Sequence, residues 1–310
     1  MSEQKFRLIT RSDFDGLVCA VLLYELDLID EIKFAHPKDM QDGKVEVSAR
    51  DITTNLPYVP GVHLSFDHHL SETVRVAGGR PNHIIGAEAP SAAHVVYEYY
   101  GGKRAFPRIS DELMDAVDKS DSAQFSREEI KHPTGWVLLN FVTDPRTGLG
   151  RFREFRISNY AMMMELTRHC REQSIEQILA LPDVQERVNL YWEHASKAKE
   201  QISRCARLHG NLVILDMRNE ETIWPTNRFM VYAMYPQVNI SLHIMWGLGK
   251  EITVFAVGKS IINRSSRTNI GELMLKYGGG GHQNAGTCQI DNAQAKRVLA
   301  ELLAKINADG

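Results

Sequence analysis

Cysteine is scarce in this 310-residue sequence: Cys19, Cys170, Cys205 and Cys288 are its only four, and no two form a CxxC pair. That pattern suggests neither a disulfide framework nor a zinc knuckle, and it suits a reducing compartment. No apolar run approaches the ~18 residues that span a bilayer, and Met1-Ser2-Glu3-Gln4-Lys5 has no apolar signal core. The expected location is the cytoplasm, with no membrane partner. Charge of one sign is also lacking. The formal net charge is -3, from 36 Lys and Arg against 39 Asp and Glu. Without a long basic stripe, long duplex nucleic acid is not an expected partner, although a local basic pocket remains compatible. There is no low-complexity linker and no internal repeat. Hydrophobic content of 43% and charged content of 24% are ordinary for a globular chain, and the length allows two domains.

What is present centres on Ser65-Phe66-Asp67-His68-His69. Val62, Leu64 and Phe66 alternate with other residues as in a short strand with one buried face. The strand runs straight into a carboxylate and two imidazoles. A surface turn could hold them without purpose, but so could the carboxyl edge of an open α/β sheet, where sites usually lie. By ligand type, His with Asp suits Mn, Zn or Fe.

The same arrangement recurs along the first half. Phe6 to Thr10 reads as a strand and Leu17 to Leu26 as a buried helix. Between them, Asp13-x-Asp15-Gly16 places two carboxylates on one tight loop. One helix cap needs only one of them. Ile32 to Ala35 is a second expected strand, and Lys44 to Ala49 a third that ends at Arg50-Asp51. If these strands are parallel neighbours, Asp13, Asp15, Asp51 and Asp67-His68-His69 emerge at one edge. Such crowding is costly unless cations neutralise it, and two ions ~3.5–4 Å apart, bridged by carboxylate, would do so. Helices are expected from Ser91 to Tyr97, with His94 packed on its surface, and from Ser110 to Lys119, after which Asp121 is a further ligand candidate.

Beyond Phe125 the pattern turns helical: Thr134 to Val142, Ile157 to Cys170, Ser174 to Leu181 and Val184 to Leu208. The run Met162 to Met164 reads as core. Strands are then expected at 212–215, 238–245, 252–257 and 287–290, with helices near 227–234, 268–275 and 293–306. Four successive glycines, Gly278 to Gly281, could expose backbone N–H groups to an anion, where a helix cap would use one glycine. His282, with Arg264 or Arg267, would add charge-assisted hydrogen bonds.

In order and spacing these motifs resemble the DHH phosphoesterase superfamily, in its nanoRNase, bisphosphate phosphatase and exopolyphosphatase-related branch. The matches are Asp13-x-Asp15-Gly16, Asp51, Asp67-His68-His69 and Asp121-Ser-Ala-Gln-Phe125, the last similar to the family's Asp-Thr-Gly-x-Phe. Far downstream, Gly278 to Gly281 with His282-Gln-Asn-Ala-Gly286 is similar to the GGGH…AAG segment of the associated C-terminal domain. The resemblance implies an α/β protein in three parts. These are a parallel-sheet DHH domain (1–130), a helical connector (131–208) and a smaller α/β substrate-binding domain with the glycine-rich loop (209–310).

It further implies a phosphoric ester hydrolase with two Mn2+ ions, Mg2+ being an alternative. Asp51 would bridge the ions, Asp13 would hold one, and Asp15, His68 and Asp121 the other. Asp67 would orient the histidines, and His69 would face the scissile phosphate. Arg264, Gly279, Gly280, Gly281 and His282 would grip a second phosphate. Many members carry a further ligand where Arg11 stands here. Arginine cannot ligate a cation but can bind a phosphate. His36 or His94 could complete the ligand set instead. Short oligonucleotides or small phosphorylated nucleotides fit two phosphate features best, and a homodimer is compatible. The alternatives are an exopolyphosphatase, a cyclic-dinucleotide phosphodiesterase, and a weakly catalytic nucleotide-binding regulator.

Overall fold

The computed structural model describes residues 5–152 and 154–310, apart from the side chains of Leu70 and Val74. The opening Met1 to Gln4 read above lies outside them. Contacts divide the chain into two compact units, Met1–Gln124 with Pro133–Leu190 and Phe125–His132 with Tyr191–Gly310. The segment 131–208 is therefore shared between the two. Among the described residues no helix is long and apolar enough to cross a membrane.

The first unit is built on five strands: β1 (Phe6–Arg11), β2 (Ile29–Ala35), β3 (Asp51–Thr54), β4 (Leu64–Asp67) and β5 (His83–Ile85). Their order is β2-β1-β3-β4-β5, and every pairing is parallel. The order reverses between β1 and β3, the switch point at whose carboxyl edge open α/β sheets take ligands. The helix Phe14–Glu25 is apolar on all sides, and its residues from Phe14 to Leu23 are all buried. A helix of that kind must be enclosed. It lies against β1 and against the helices Ala92–Tyr100, Asp111–Asp121 and Asn159–Glu172. Met162 and Met163 are buried in the last of these, as core residues.

The third strand differs from the sequence reading. Lys44 to Ala49 forms no strand, and Asp51 opens β3 instead of following it. Val45 and Val47 pack as loop residues on Ile9, Met40 and Leu56.

The second unit carries a mixed sheet of β6 (Ala206–His209), β7 (Leu212–Asp216), β8 (Ile240–Trp246), β9 (Ile252–Lys259), β10 (Gly280–His282) and β11 (Ala285–Asp291). The order is β10-β11-β9-β8-β7-β6, antiparallel except for the β7–β8 pair. Inward residues such as Leu242, Phe255 and Val257 meet Ile270, Met274, Val298 and Leu302 of the helices Ile270–Leu275 and Asn292–Asp309 in one core. β6 is a short strand that the sequence reading merged into the preceding helix, which ends at Cys205.

Candidate metal centre

Asp13 and Asp15 follow β1 directly. Asp13 caps the helix Phe14–Glu25, its Oδ1 accepting from Gly16 N at 3.0 Å. Gly16 permits this turn by lacking a side chain. A Cβ there would meet Arg11 O at 2.0 Å and Thr10 Oγ1 at 2.7 Å. Asp15 reaches instead to the start of Ala92–Tyr100, where its two oxygens accept from Ala92 N at 3.0 Å and Ala93 N at 2.8 Å. Both carboxyl groups are buried. Burial first, and the Asp121 carboxylate second, push the Asp15 pKa up to about 8.

β4 ends in Asp67, which organises the two histidines after it. Asp67 Oδ1 accepts from His68 N at 2.8 Å and lies 2.6 Å from His69 Nδ1. The carboxylate thus fixes the ring and tautomer of His69 through Nδ1. His68 Nδ1 lies 3.2 Å from Ala89 O, which orients its Nε2 toward Asp121. That Nε2 is buried and 2.9 Å from Asp121 Oδ2, yet it has no hydrogen bond of acceptable geometry. Burial disfavours a charged His68, but Asp121 outweighs it and raises the pKa to about 9.

Asp15, His68 and Asp121 each offer a ligand atom, and these atoms lie within 4.8 Å of one another. A buried carboxylate, a half-buried one and an imidazole nitrogen without a well-made hydrogen bond are a donor set that fits a divalent cation. Asp67, His68 and His69 form a second such grouping, but Asp67 is occupied in holding its neighbours.

Other expected site residues stand elsewhere. Asp51 is at the amino-terminal edge of the sheet, paired in register with Arg7, while Asp13 follows the opposite end of β1. Its oxygens accept from Arg7 Nε at 2.7 Å, Arg7 Nη2 at 3.0 Å and Ser48 N at 2.6 Å. It cannot bridge ions held by Asp15. The residue that follows β3 at the site's edge is Asn55, whose Nδ2 donates to Asp13 Oδ1 at 3.1 Å. Asn55 has φ +53°, a left-handed conformation that asparagine tolerates. His94 is tied to Asp118 at 2.8 Å, and His36 accepts from Lys38 N; neither joins the cluster. Arg11 does reach it, with Nε 3.0 Å from Asp13 Oδ2. So does Arg146, which the sequence reading passed over as a turn residue. It is paired with Asp144 at 2.8 Å, and its charge acts on Asp13 and Asp121.

Asp51→Asn therefore separates the two edges. Loss of a buried, doubly hydrogen-bonded charge partner of Arg7 is expected to cost roughly 2–3 kcal/mol in urea unfolding, with kcat unchanged. Burial works against the Asp51 charge, but Arg7 and the Ser48 amide overcome it and hold the pKa below the usual carboxylate value. This stabilisation is present above the unfolded pKa of ~3.9 and is lost as pH falls through the lower folded value. The wild-type advantage over Asp51→Asn should shrink accordingly below about pH 4.

In the second unit the glycine run is a strand edge. Gly280 to His282 pair antiparallel with β11. A Cβ on Gly279 would fall 2.1 Å from Thr287 O, and one on Gly281 2.3 Å from Ala285 O, so close backbone approach requires both glycines. Gly280 is open to a Cβ, and His282 is exposed. Arg264 is exposed, with Nε donating to Ile261 O at 3.1 Å.

One motif position carries strain. Ala123, where the family pattern has glycine, holds φ +53°. Ala123→Gly should raise stability by roughly 0.5–1 kcal/mol, the left-handed penalty less the entropy of a freer unfolded chain. A matched pair of thermal melts measures it.

A parallel sheet whose carboxyl edge gathers Asp15, His68 and Asp121, followed by a mixed-sheet unit, defines a two-unit α/β protein with a carboxylate–imidazole metal centre. No family model and no curated protein matches the chain. Among solved structures it is 62% identical to the pGpG-specific phosphodiesterase PggH of Vibrio cholerae, with a TM-score of 0.86 over 99% of this chain and 100% of that one. RecJ of Thermus thermophilus in complex with Mn2+ shares the fold, at 13% identity and a TM-score of 0.50, over 97% of this chain and 52% of RecJ. The chain belongs to the DHH phosphoesterase superfamily.

Proposed function

We propose that this protein is a divalent-metal-dependent phosphodiesterase that hydrolyses linear dinucleotides of the pGpG kind to mononucleotides. The observation that carries the reading is the convergence of Asp15, His68 and Asp121 within 4.8 Å at the switch-point edge. Identity of 62% along the full length to a pGpG-specific enzyme supports the substrate class. Mn2+ fits the mixed oxygen and nitrogen donors best, and Mg2+, which prefers oxygen, fits less well. Such a cation, when bound, supplies charge neutralisation at phosphoryl oxygens and acidifies the attacking water.

The chain's own residues do the rest. Asp67 holds His69 by Nδ1 and so orients the ring for proton transfer. Burial disfavours the imidazolium of His69, but Asp67 prevails and raises its pKa. His69 is thereby suited to protonate the departing 3′-oxygen as water adds to phosphorus and the P–O3′ bond breaks. Arg11 binds a non-bridging phosphoryl oxygen. In the second unit, Arg264, His282 and the backbone at Gly280 and Gly281 bind a phosphate, whereas Gly279 N donates to Met274 O at 3.0 Å and Gly279 serves the chain path.

The test is a panel of 5′-labelled pGpG, longer RNAs of three to five nucleotides, adenosine 3′,5′-bisphosphate, a cyclic dinucleotide and polyphosphate, with and without Mn2+. Metal-dependent release of GMP from pGpG is expected. Turnover confined to polyphosphate or to the cyclic dinucleotide would replace this reading with one of those activities. Tight pGpG binding without turnover would leave a regulatory binder.

A further inference from the structure

The acidic groups around the centre are not equivalent. Asp15, His68 and Asp121 face one another, with Asp15 also accepting from two backbone amides, whereas Asp13 faces a cation and a neutral amide. Its Oδ1 accepts from Gly16 N at 3.0 Å and from Asn55 Nδ2 at 3.1 Å, and its Oδ2 lies 3.0 Å from Arg11 Nε. A carboxylate offers about four lone-pair sites; on Asp13 two donors bond to Oδ1, and Oδ2 is ion-paired with Arg11. The side chain is buried, which makes those donors hard to replace with water.

A second cation beside the first would need an anionic bridge and at least one more ligand. Three positions that could supply them hold something else. The end of β3 presents the neutral amide of Asn55, the end of β1 presents the cationic Arg11, and Asp51 is at the other edge of the sheet. Asn55 is itself buried, and its Nδ2 is turned to Asp13. Arg146 adds another positive charge that acts on Asp13 and Asp121. A second divalent ion beside Asp13 would meet the Arg11 guanidinium and the positive field of Arg146. The donor set fits one cation and not two.

We propose that the centre is mononuclear, with one divalent cation at Asp15, His68 and Asp121. Arg11, clamped on Asp13, is the fixed second positive charge that meets the substrate phosphate. The inference rests on the phosphodiesterase reading and specifies how its site is charged. A guanidinium carries five N–H donors, and the pair with Asp13 engages one nitrogen and sets the direction of the planar fork. Asn55 supports the pair from the other oxygen of Asp13, as a positioning residue. The consequence is a site whose second positive charge cannot be removed by chelation.

Metal-free protein, titrated with Mn2+ and followed by metal analysis and electron paramagnetic resonance, tests this without relying on turnover. The expected result is one tightly bound equivalent per chain with the spectrum of an isolated Mn2+ ion. Two equivalents with a spin-coupled spectrum, in protein that hydrolyses pGpG, would overturn the mononuclear centre and leave the phosphodiesterase reading standing. No uptake and no hydrolysis would overturn both. The double variant Arg11→His with Asn55→Asp restores a ligand and a bridging carboxylate, and it is expected to take up a second, coupled ion. Arg11→Gln should keep the single equivalent while kcat/KM falls by about a hundredfold, as for loss of one preorganised donor to a developing charge. A second equivalent bound by Arg11→Gln at undiminished kcat/KM would contradict the role given to Arg11.

Discussion

His68→Ala is expected to lower kcat/KM on pGpG by about a thousandfold or more. His68 supplies the sole nitrogen of the three-residue donor set. A catalytic cation contributes several kcal/mol of transition-state charge stabilisation, and each ~1.4 kcal/mol is a factor of ten in rate. Asp121→Asn should cost a similar factor, because it removes a charged ligand from the same point. Both variants should stay folded, since His68 sits in the loop after β4 and Asp121 ends its helix. Circular dichroism with steady-state kinetics on the same samples checks the pair. A variant that keeps wild-type kcat would move the catalytic centre elsewhere.

The second large effect is structural. Gly16→Ala puts a methyl group 2.0 Å from Arg11 O and 2.7 Å from Thr10 Oγ1. Neither neighbour can retreat. Arg11 closes β1, and Thr10 Oγ1 is held by Thr54 O at 3.2 Å and Thr54 Oγ1 at 2.7 Å. Overpacking against such a frame is expected to cost ~3 kcal/mol or more in urea unfolding. Because Gly16 N also holds Asp13, the surviving folded fraction should be catalytically impaired. Gly280→Ala, where a Cβ has open space, should change stability far less.

The site residues that could be read from sequence are those that interrupt an apolar strand end. Asp13 with Asp15, and Asp67 with its histidines, are polar groups set at or just past the ends of β1 and β4, and the structure brings them to one edge. Asp51 misled because Val45 and Val47 alternate like a strand although they only cover a small loop cluster. The true β3, Asp-Ile-Thr-Thr, looks polar yet is wholly buried. Its threonine hydroxyls explain part of this, Thr54 Oγ1 donating to Thr10 Oγ1 inside the sheet. With the strand misplaced, Asn55 could not be seen as its end. Arg146 left no local signal, since its charge meets Asp13 and Asp121 only through the fold. The glycine run was visible as a motif, but its demand for close pairing with β11 depends on a partner strand that sequence spacing does not reveal. The fold class was legible because apolar strands and an all-round apolar helix alternate through the first unit, which fixes a parallel sheet.

If the edge formed by Asp15, His68 and Asp121 is a metal-dependent phosphodiester centre, activity must follow the metal. The most direct measurement is GMP release from pGpG by one sample assayed as purified, after chelation and desalting, and again after Mn2+ is restored. Turnover is expected to disappear with the metal and to return in full on its addition. Undiminished turnover by the chelated, metal-free protein would contradict it.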